Sequence, residues 1–206
     1  MTTLIYLSGD SYYYPGEANC EYCIAKKLAD SNSLDFLGQE SFRQNDDFNG
    51  GWYKIPVRLN RLKNMIDLIT DDVILIGRSS GGRVATLFAG NYQESILKKV
   101  VAVICLAYPF KQPNQLPDGS RYIHLADIKV PTLIIQGLND EYGNVDIFDQ
   151  YEFSKLIEFY FVDTDHEFNL SAKVLGDVLN KIIAFLNNRT VPLPSDLRPY
   201  VLKITD

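Results

Sequence analysis

Apolar residues in this chain follow two alternating rhythms. Short aliphatic runs at residues 4–7, 73–76, 100–106 and 131–136 have the length of strands buried on both faces, 158–162 reads as a last strand, and a weaker run covers 33–37. Between them, apolar positions recur every three or four residues, which predicts helices over 20–29, 82–91, 147–156 and 174–186. Another helix opens at Pro56 and carries the stripe Val57, Leu59, Leu62, Met65, Ile66 and Ile69. Strands alternating with helices predict an α/β fold: a doubly wound, mostly parallel six-stranded sheet with helices on both faces and right-handed crossovers. Residues 39–53 are polar and carry Phe48, Gly50, Gly51 and Trp52, a length that suggests a working loop. The stretch 111–129 reads as loop with one helical turn. One domain is expected over 1–188, and 189–206, with three prolines, as a C-terminal tail.

The run at 73–76 ends abruptly in Gly77-Arg78-Ser79-Ser80-Gly81-Gly82, and a helical segment follows without a spacer. The pentapeptide fits G-x-S-x-G, in which glycines on either side allow a strained turn, a nucleophile elbow, that lifts the serine hydroxyl out of the sheet. A hydroxyl is a poor nucleophile until a base takes its proton, and a histidine base works best when a carboxylate fixes its tautomer. Asp140 and His166 follow Ser79 in the chain, each in a turn after a predicted strand, where parallel sheets form their sites. Ser79, Asp140 and His166 are therefore the candidate catalytic triad. Glu141 is the fallback acid, while Asp165 lies too close to His166 in sequence to orient it. The other histidine, His124, sits in the polar loop and reads as structural or as part of the rim.

The elbow puts the backbone N–H of Ser80 at a helix start, where donors without intrahelical acceptors and the helix dipole favour negative charge. A second donor to a developing oxyanion is expected from the turn after the first strand, from the N–H of Asp10 or of Ser11. Arg78 is expected to be held by a nearby carboxylate. Tyr12, Tyr13, Trp52 and Tyr108 fall near these turns and are candidate pocket-lining residues.

Composition narrows the partners. The 206 residues are 46% apolar, enough for one domain with a substantial core, and a net charge of -6 leaves no basic footprint for nucleic acid or an anionic membrane. No stretch approaches the roughly 20 apolar residues of a membrane span, and no basic, apolar leader is seen, so a cytoplasmic location is expected. Three cysteines make no disulfide framework. Cys20 and Cys23 form C-E-Y-C, which a redox pair or half a zinc site would use. Zinc would need two more ligands, with only His124 and His166 as histidines, so both cysteines read as ordinary helix residues and Cys105 as core. No metal or cofactor is expected.

Residues 73–166 resemble the α/β-hydrolase superfamily, whose triads run in the chain order Ser, acid, His. More narrowly, they resemble its small KANL/Tex-type branch, akin to dienelactone hydrolases. The narrower likeness rests on Gly77 to Arg83 (GRSSGGR), on Ala107-Tyr108-Pro109, on His124-Leu125 before Ile128 to Pro131 (IKVP), and on Ile135 to Gly143 (IQGLNDEYG). The resemblance implies a reduced sheet without the superfamily's first two strands and without a large cap. It also leads one to expect a His-Gly turn after the first strand, where this chain has Ser8-Gly9-Asp10-Ser11.

The expected function is a serine esterase or thioesterase acting on small molecules through an acyl-enzyme, with short acyl groups preferred because no segment is long enough for a large lid. The altered first turn favours the alternative, a weakly active or inactive binding or scaffold protein that keeps the fold. The oligomeric state is not legible.

Overall fold

A computed structural model of the chain describes residues 2–9, 21–38, 54–91 and 97–188. The working loop expected at 39–53, Cys20, and the tail at 189–206 lie outside those residues. Six strands run β1 (Thr2–Leu7), β2 (Asp35–Leu37), β3 (Asp72–Arg78), β4 (Val100–Leu106), β5 (Thr132–Gly137) and β6 (Ile157–Val162). They form one sheet in the order β2-β1-β3-β4-β5-β6, and every adjacent pair is parallel. This is the predicted doubly wound architecture. The helices are α1 (Glu21–Ser31), α2 (Ile55–Leu68), α3 (Ser80–Asn91), α4 (Ile147–Gln150) and α5 (Ala172–Asn188).

Strand alternation sends successive side chains to opposite faces, and here both faces are apolar. Ile5, Leu7, Val73, Leu75, Val103 and Ile134 pack with Leu62 and Ile66 of α2 and Val84 and Phe88 of α3. Their neighbours Leu4, Tyr6, Ile74, Ile76, Ile104 and Ile135 pack with Ile24 and Leu28 of α1 and Val178 and Ile182 of α5. Each fully buried Leu or Ile contributes roughly 1.5–3 kcal/mol, whereas an exposed ion pair such as Lys63–Asp67 contributes at most about 1 kcal/mol. The two apolar layers therefore hold the sheet, and the surface charges do not.

The order of strands reverses beside β1: the chain steps outward from β1 to β2, then returns across β1 to β3. Such a switch point leaves a crevice beyond the carboxyl ends of β1 and β3. Leu7 pairs with Gly77 at that edge, so the turn after β1 and the serine turn after β3 lie side by side.

Two elements differ from expectation. The helix predicted over 147–156 stops at Gln150, and Tyr151 is extended with φ -132° and ψ 149°. Tertiary bonds divert it: the Ser154 N–H donates to the Leu125 carbonyl at 3.0 Å, and its hydroxyl to that of Ile128 at 2.8 Å. The single helical turn expected in 111–129 is two short 3-10 turns, Gly119–Arg121 and Ile123–Asp127.

Candidate active site

Ser79 is built into the tight turn between β3 and α3. It closes β3 with φ 48°, a left-handed conformation that L residues seldom adopt, and Ser80 opens α3 directly after it. The flanking glycines are there for space. A Cβ on Gly77 would lie 2.5 Å from the Gly81 carbonyl carbon, and one on Gly81 would lie 2.0 Å from the Leu7 carbonyl oxygen. The spacing in G-x-S-x-G thus reflects how closely β1, β3 and the first turn of α3 approach one another.

The turns after β5 and β6 bring the other two candidates to this point. Ser79 Oγ lies 3.1 Å from His166 Nε2, and His166 Nδ1 lies 3.0 and 2.9 Å from the two oxygens of Asp140. A carboxylate only accepts, so Nδ1 carries the proton and Nε2 presents its lone pair to the serine hydroxyl. All three side chains are buried, Asp140 completely. Glu141 and Asp165, the competing acids, are exposed.

A fully buried carboxylate is costly unless donors surround it. Besides His166, the Gln136 amide donates to Asp140 Oδ2 at 2.8 Å, and the Tyr142 N–H to Oδ1 at 2.8 Å. Gln136 is itself fully buried and locked: its Oε1 accepts from the Tyr108 N–H at 2.8 Å, and its amide also donates to the Gly143 carbonyl at 2.7 Å. The Tyr142 ring stacks on the imidazole with centroids 3.9 Å apart.

Two buried arginines flank the elbow. Arg78 is held by a carboxylate, as expected, with Nε donating to Glu21 at 2.7 Å. It also reaches the histidine, which the sequence did not suggest: Nη2 donates to the His166 carbonyl at 2.6 Å, and Nη1 approaches Nε2 at 3.3 Å. Two donors therefore converge on the single Nε2 lone pair. Arg58, from α2, donates to Ser80 Oγ at 2.9 Å and to the Ser8 carbonyl at 2.5 Å. Its burial was legible after all, since Arg58, Leu62 and Ile66 share one helix face at i, i+4 and i+8. Gln136 carried a weaker signal as the one polar side chain ending the apolar run of β5.

Asp10, Ser11, Tyr12, Tyr13 and Trp52 lie outside the described residues. Tyr108 is fully buried in the core: it packs on Phe110, and its hydroxyl donates to the Arg121 carbonyl at 2.6 Å. It belongs beneath α3 rather than to a pocket wall, because a ring at that position fills the gap against Gly82 and Cys105. His124 is buried too, with Nε2 2.9 Å from Thr86 Oγ1, and burial pulls its pKa down to about 4. It is a structural histidine and stays neutral at pH 7. Cys105 is core, and burial pushes its thiol pKa well up. Among the described residues no three His, Cys, Asp or Glu side chains converge as a metal-binding set, and no helix is long and apolar enough to cross a membrane.

A family model described as an alpha/beta hydrolase domain matches residues 52–189, well over half of the chain. The chain belongs to the alpha/beta hydrolase family. Several solved structures share its fold. An esterase of Pyrococcus furiosus superposes with a TM-score of 0.67 at 13% identity, over 91% of this chain and 82% of that one. A monoacylglycerol lipase of Paleococcus ferrophilus gives 0.62 at 12% identity, over 90% and 94%. Est1E of Butyrivibrio proteoclasticus gives 0.60 at 12%, over 91% and 88%. At such identities the likeness is one of fold alone. No curated protein matches the chain.

Proposed function

We propose that this alpha/beta hydrolase is a serine hydrolase that cleaves carboxylic esters or thioesters of small molecules through an acyl-enzyme. One observation carries it: Ser79 Oγ, His166 and the Asp140 carboxylate lie in a continuous hydrogen-bonded chain of 3.1 and 2.9 Å steps. Ser79 Oγ attacks the carbonyl carbon while its proton passes to His166 Nε2. The resulting oxyanion faces the start of α3, where the Ser80 N–H is the proposed donor. Collapse of the tetrahedral intermediate breaks the bond to the leaving oxygen or sulfur, which takes the proton from Nε2. Water then attacks the acyl carbon, gives its proton to Nε2, and Ser79 recovers that proton as the acid departs. Asp140 holds the Nδ1–H tautomer throughout and supports the imidazolium that forms in each half-reaction.

A second reading, an idle triad in a binding or scaffold protein, is favoured by the Arg78 guanidinium 3.3 Å from Nε2, which competes for the lone pair the reaction needs. A fluorophosphonate probe separates the two. Under the hydrolase reading it labels Ser79 in the wild type, and labelling is lost in both Ser79→Ala and His166→Ala. A folded wild type that does not label refutes the hydrolase and leaves the second reading. A series of 4-nitrophenyl esters then tests the acyl preference: rates that keep rising past about ten carbons would exclude a site for short acyl groups, since each buried CH₂ is worth roughly 0.8 kcal/mol.

A further inference from the structure

The buried guanidinium of Arg58 has no part in the triad, yet it bridges the two backbone segments that meet at the elbow. Nη1 donates to Ser80 Oγ on the first residue of α3, and Nη2 donates to the carbonyl of Ser8, the first residue after β1. Between these contacts the chains touch at their tightest: a Cβ on Gly81 would lie 2.0 Å from the Leu7 carbonyl oxygen and 2.6 Å from that of Ser8. On the other side of the same turn, Gly9 lies against Arg78, where a Cβ would come within 3.3 Å of its Cδ.

We propose that Arg58 is a positioning residue that presets the anion-binding side of the Ser79 elbow by tying the turn after β1 to the first turn of α3. This rests on the serine-hydrolase reading above.

The physical case has three parts. First, stabilisation of an oxyanion depends on donors that already stand in place, because a donor that must reorganise during the reaction gives back much of what it gains. The Ser80 N–H can serve only if the first turn of α3 is fixed. Second, a peptide is planar, so holding the Ser8 carbonyl on Arg58 fixes the direction of the Gly9 N–H on its opposite edge. Third, a planar guanidinium with five donors in a rigid fork can hold a carbonyl and a hydroxyl at a set separation, which a flexible ammonium cannot do to the same degree. The resemblance led one to expect a His-Gly turn after β1. Here Ser8-Gly9 stands in that turn, and a side chain reaching in from α2 supplies the anchor.

The test compares Arg58→Gln, Arg58→Lys and Ser80→Ala with the wild type, using 4-nitrophenyl butyrate turnover, thermal unfolding and amide hydrogen exchange. Leu62→Ala serves as the control, since it opens a cavity on the same helix face and removes no hydrogen bond between the two turns. Arg58→Gln is expected to lower kcat about 10- to 100-fold with KM within about threefold, because the contacts it loosens matter most once negative charge has formed. Arg58→Lys recovers part of that loss, and Ser80→Ala, which removes one leg of the tie and no charge, loses less than Arg58→Gln. Leu62→Ala lowers the unfolding temperature and leaves kcat near wild type. In hydrogen exchange, Arg58→Gln speeds the amides of Ser8, Gly9 and Ser80 and spares those of β4 and β5. Should Arg58→Gln not fold, the Lys and Ala variants carry the comparison.

A kcat unchanged in the folded Arg58 and Ser80 variants overturns the proposal, as does a loss that follows unfolding temperature equally in Leu62→Ala. A wild type that neither labels nor turns over ester sinks the hydrolase reading instead. Exchange then still decides the tie, because unchanged Ser8, Gly9 and Ser80 amides in Arg58→Gln would refute it.

Discussion

Replacing Asp140 by asparagine should silence the site and loosen the fold by separate amounts that the geometry predicts. Asp140 receives donors on both oxygens: the Tyr142 N–H on Oδ1, the Gln136 amide on Oδ2, and His166 Nδ1 within 3.0 Å of each. Asparagine keeps one oxygen and turns the other into an NH₂. In either flip, that NH₂ faces a donor held at 2.8 Å, from the Tyr142 backbone or from Gln136. Gln136 cannot rotate to relieve the clash without breaking its bonds to Tyr108 and Gly143. One buried donor left unpaired costs about 1–3 kcal/mol. In a domain of this size, roughly 2–4 °C per kcal/mol, the unfolding temperature should fall by about 2–12 °C.

Chemistry suffers more. An amide that donates to Nδ1 moves the imidazole proton to Nε2, where it faces Ser79 as a donor and cannot accept the hydroxyl proton. In the serine-protease triad the corresponding change costs about 10⁴ in kcat, equivalent to roughly 5 kcal/mol of barrier. The assay is the second-order rate of fluorophosphonate labelling beside thermal unfolding, at a temperature where both proteins are folded. Glu141→Gln, on an exposed neighbour, should match wild type in both. An Asp140→Asn protein that labels within tenfold of wild type would refute the assignment of the orienting acid.

Gly81→Ala and Gly176→Ala should move stability in opposite directions by thermal unfolding: the first forces a Cβ to 2.0 Å from the Leu7 carbonyl, while the second meets nothing within 4 Å inside α5 and should gain up to about 1 kcal/mol. His124 links folding to acid. Its pKa drops from 6.5 to about 4 on folding, so below 6.5 the unfolded chain takes up a proton that the folded one refuses. The stability it contributes is complete above pH 6.5 and is lost as pH falls towards 4, on the order of 3 kcal/mol in all. In urea unfolding from pH 7 to 4, His124→Gln should show a shallower decline than wild type, and equal slopes would exclude His124 as the source. Gln136→Leu should destabilise by several kcal/mol, because it strips partners from the Tyr108 N–H, the Gly143 carbonyl and Asp140 in one step. Chemical denaturation checks it, and a change below about 1 kcal/mol would contradict the network.

Local signals carried most of the fold into view. A run such as 73–76 that is aliphatic on consecutive positions has no polar face to give to water, so it reads as a strand buried on both sides; here Val73 and Leu75 face one layer and Ile74 and Ile76 the other. The final helix was equally plain, with Leu175, Val178, Ile182 and Phe185 all inward. The segment 147–156 misled because its apolar spacing is helical while Ser154 is captured by carbonyls from a 3-10 turn about thirty residues earlier in the chain. No local pattern reports such a competitor.

At the site, sequence alone determined the residue types, their order and their places at strand ends: the glycine-flanked Ser79, then Asp140, then His166. Those features are local or follow from strand order, so periodicity and turn chemistry expose them. Tertiary structure alone put Asp140, and not its exposed neighbour Glu141, against His166, sent Tyr108 into the core, and brought Arg78 and Arg58 onto the histidine and the elbow. Arg58 reaches Ser8 across 50 positions and Arg78 reaches His166 across 88. Side chains so far apart along the chain meet only where a parallel sheet gathers the carboxyl ends of its strands, and where burial makes each charged group find a partner.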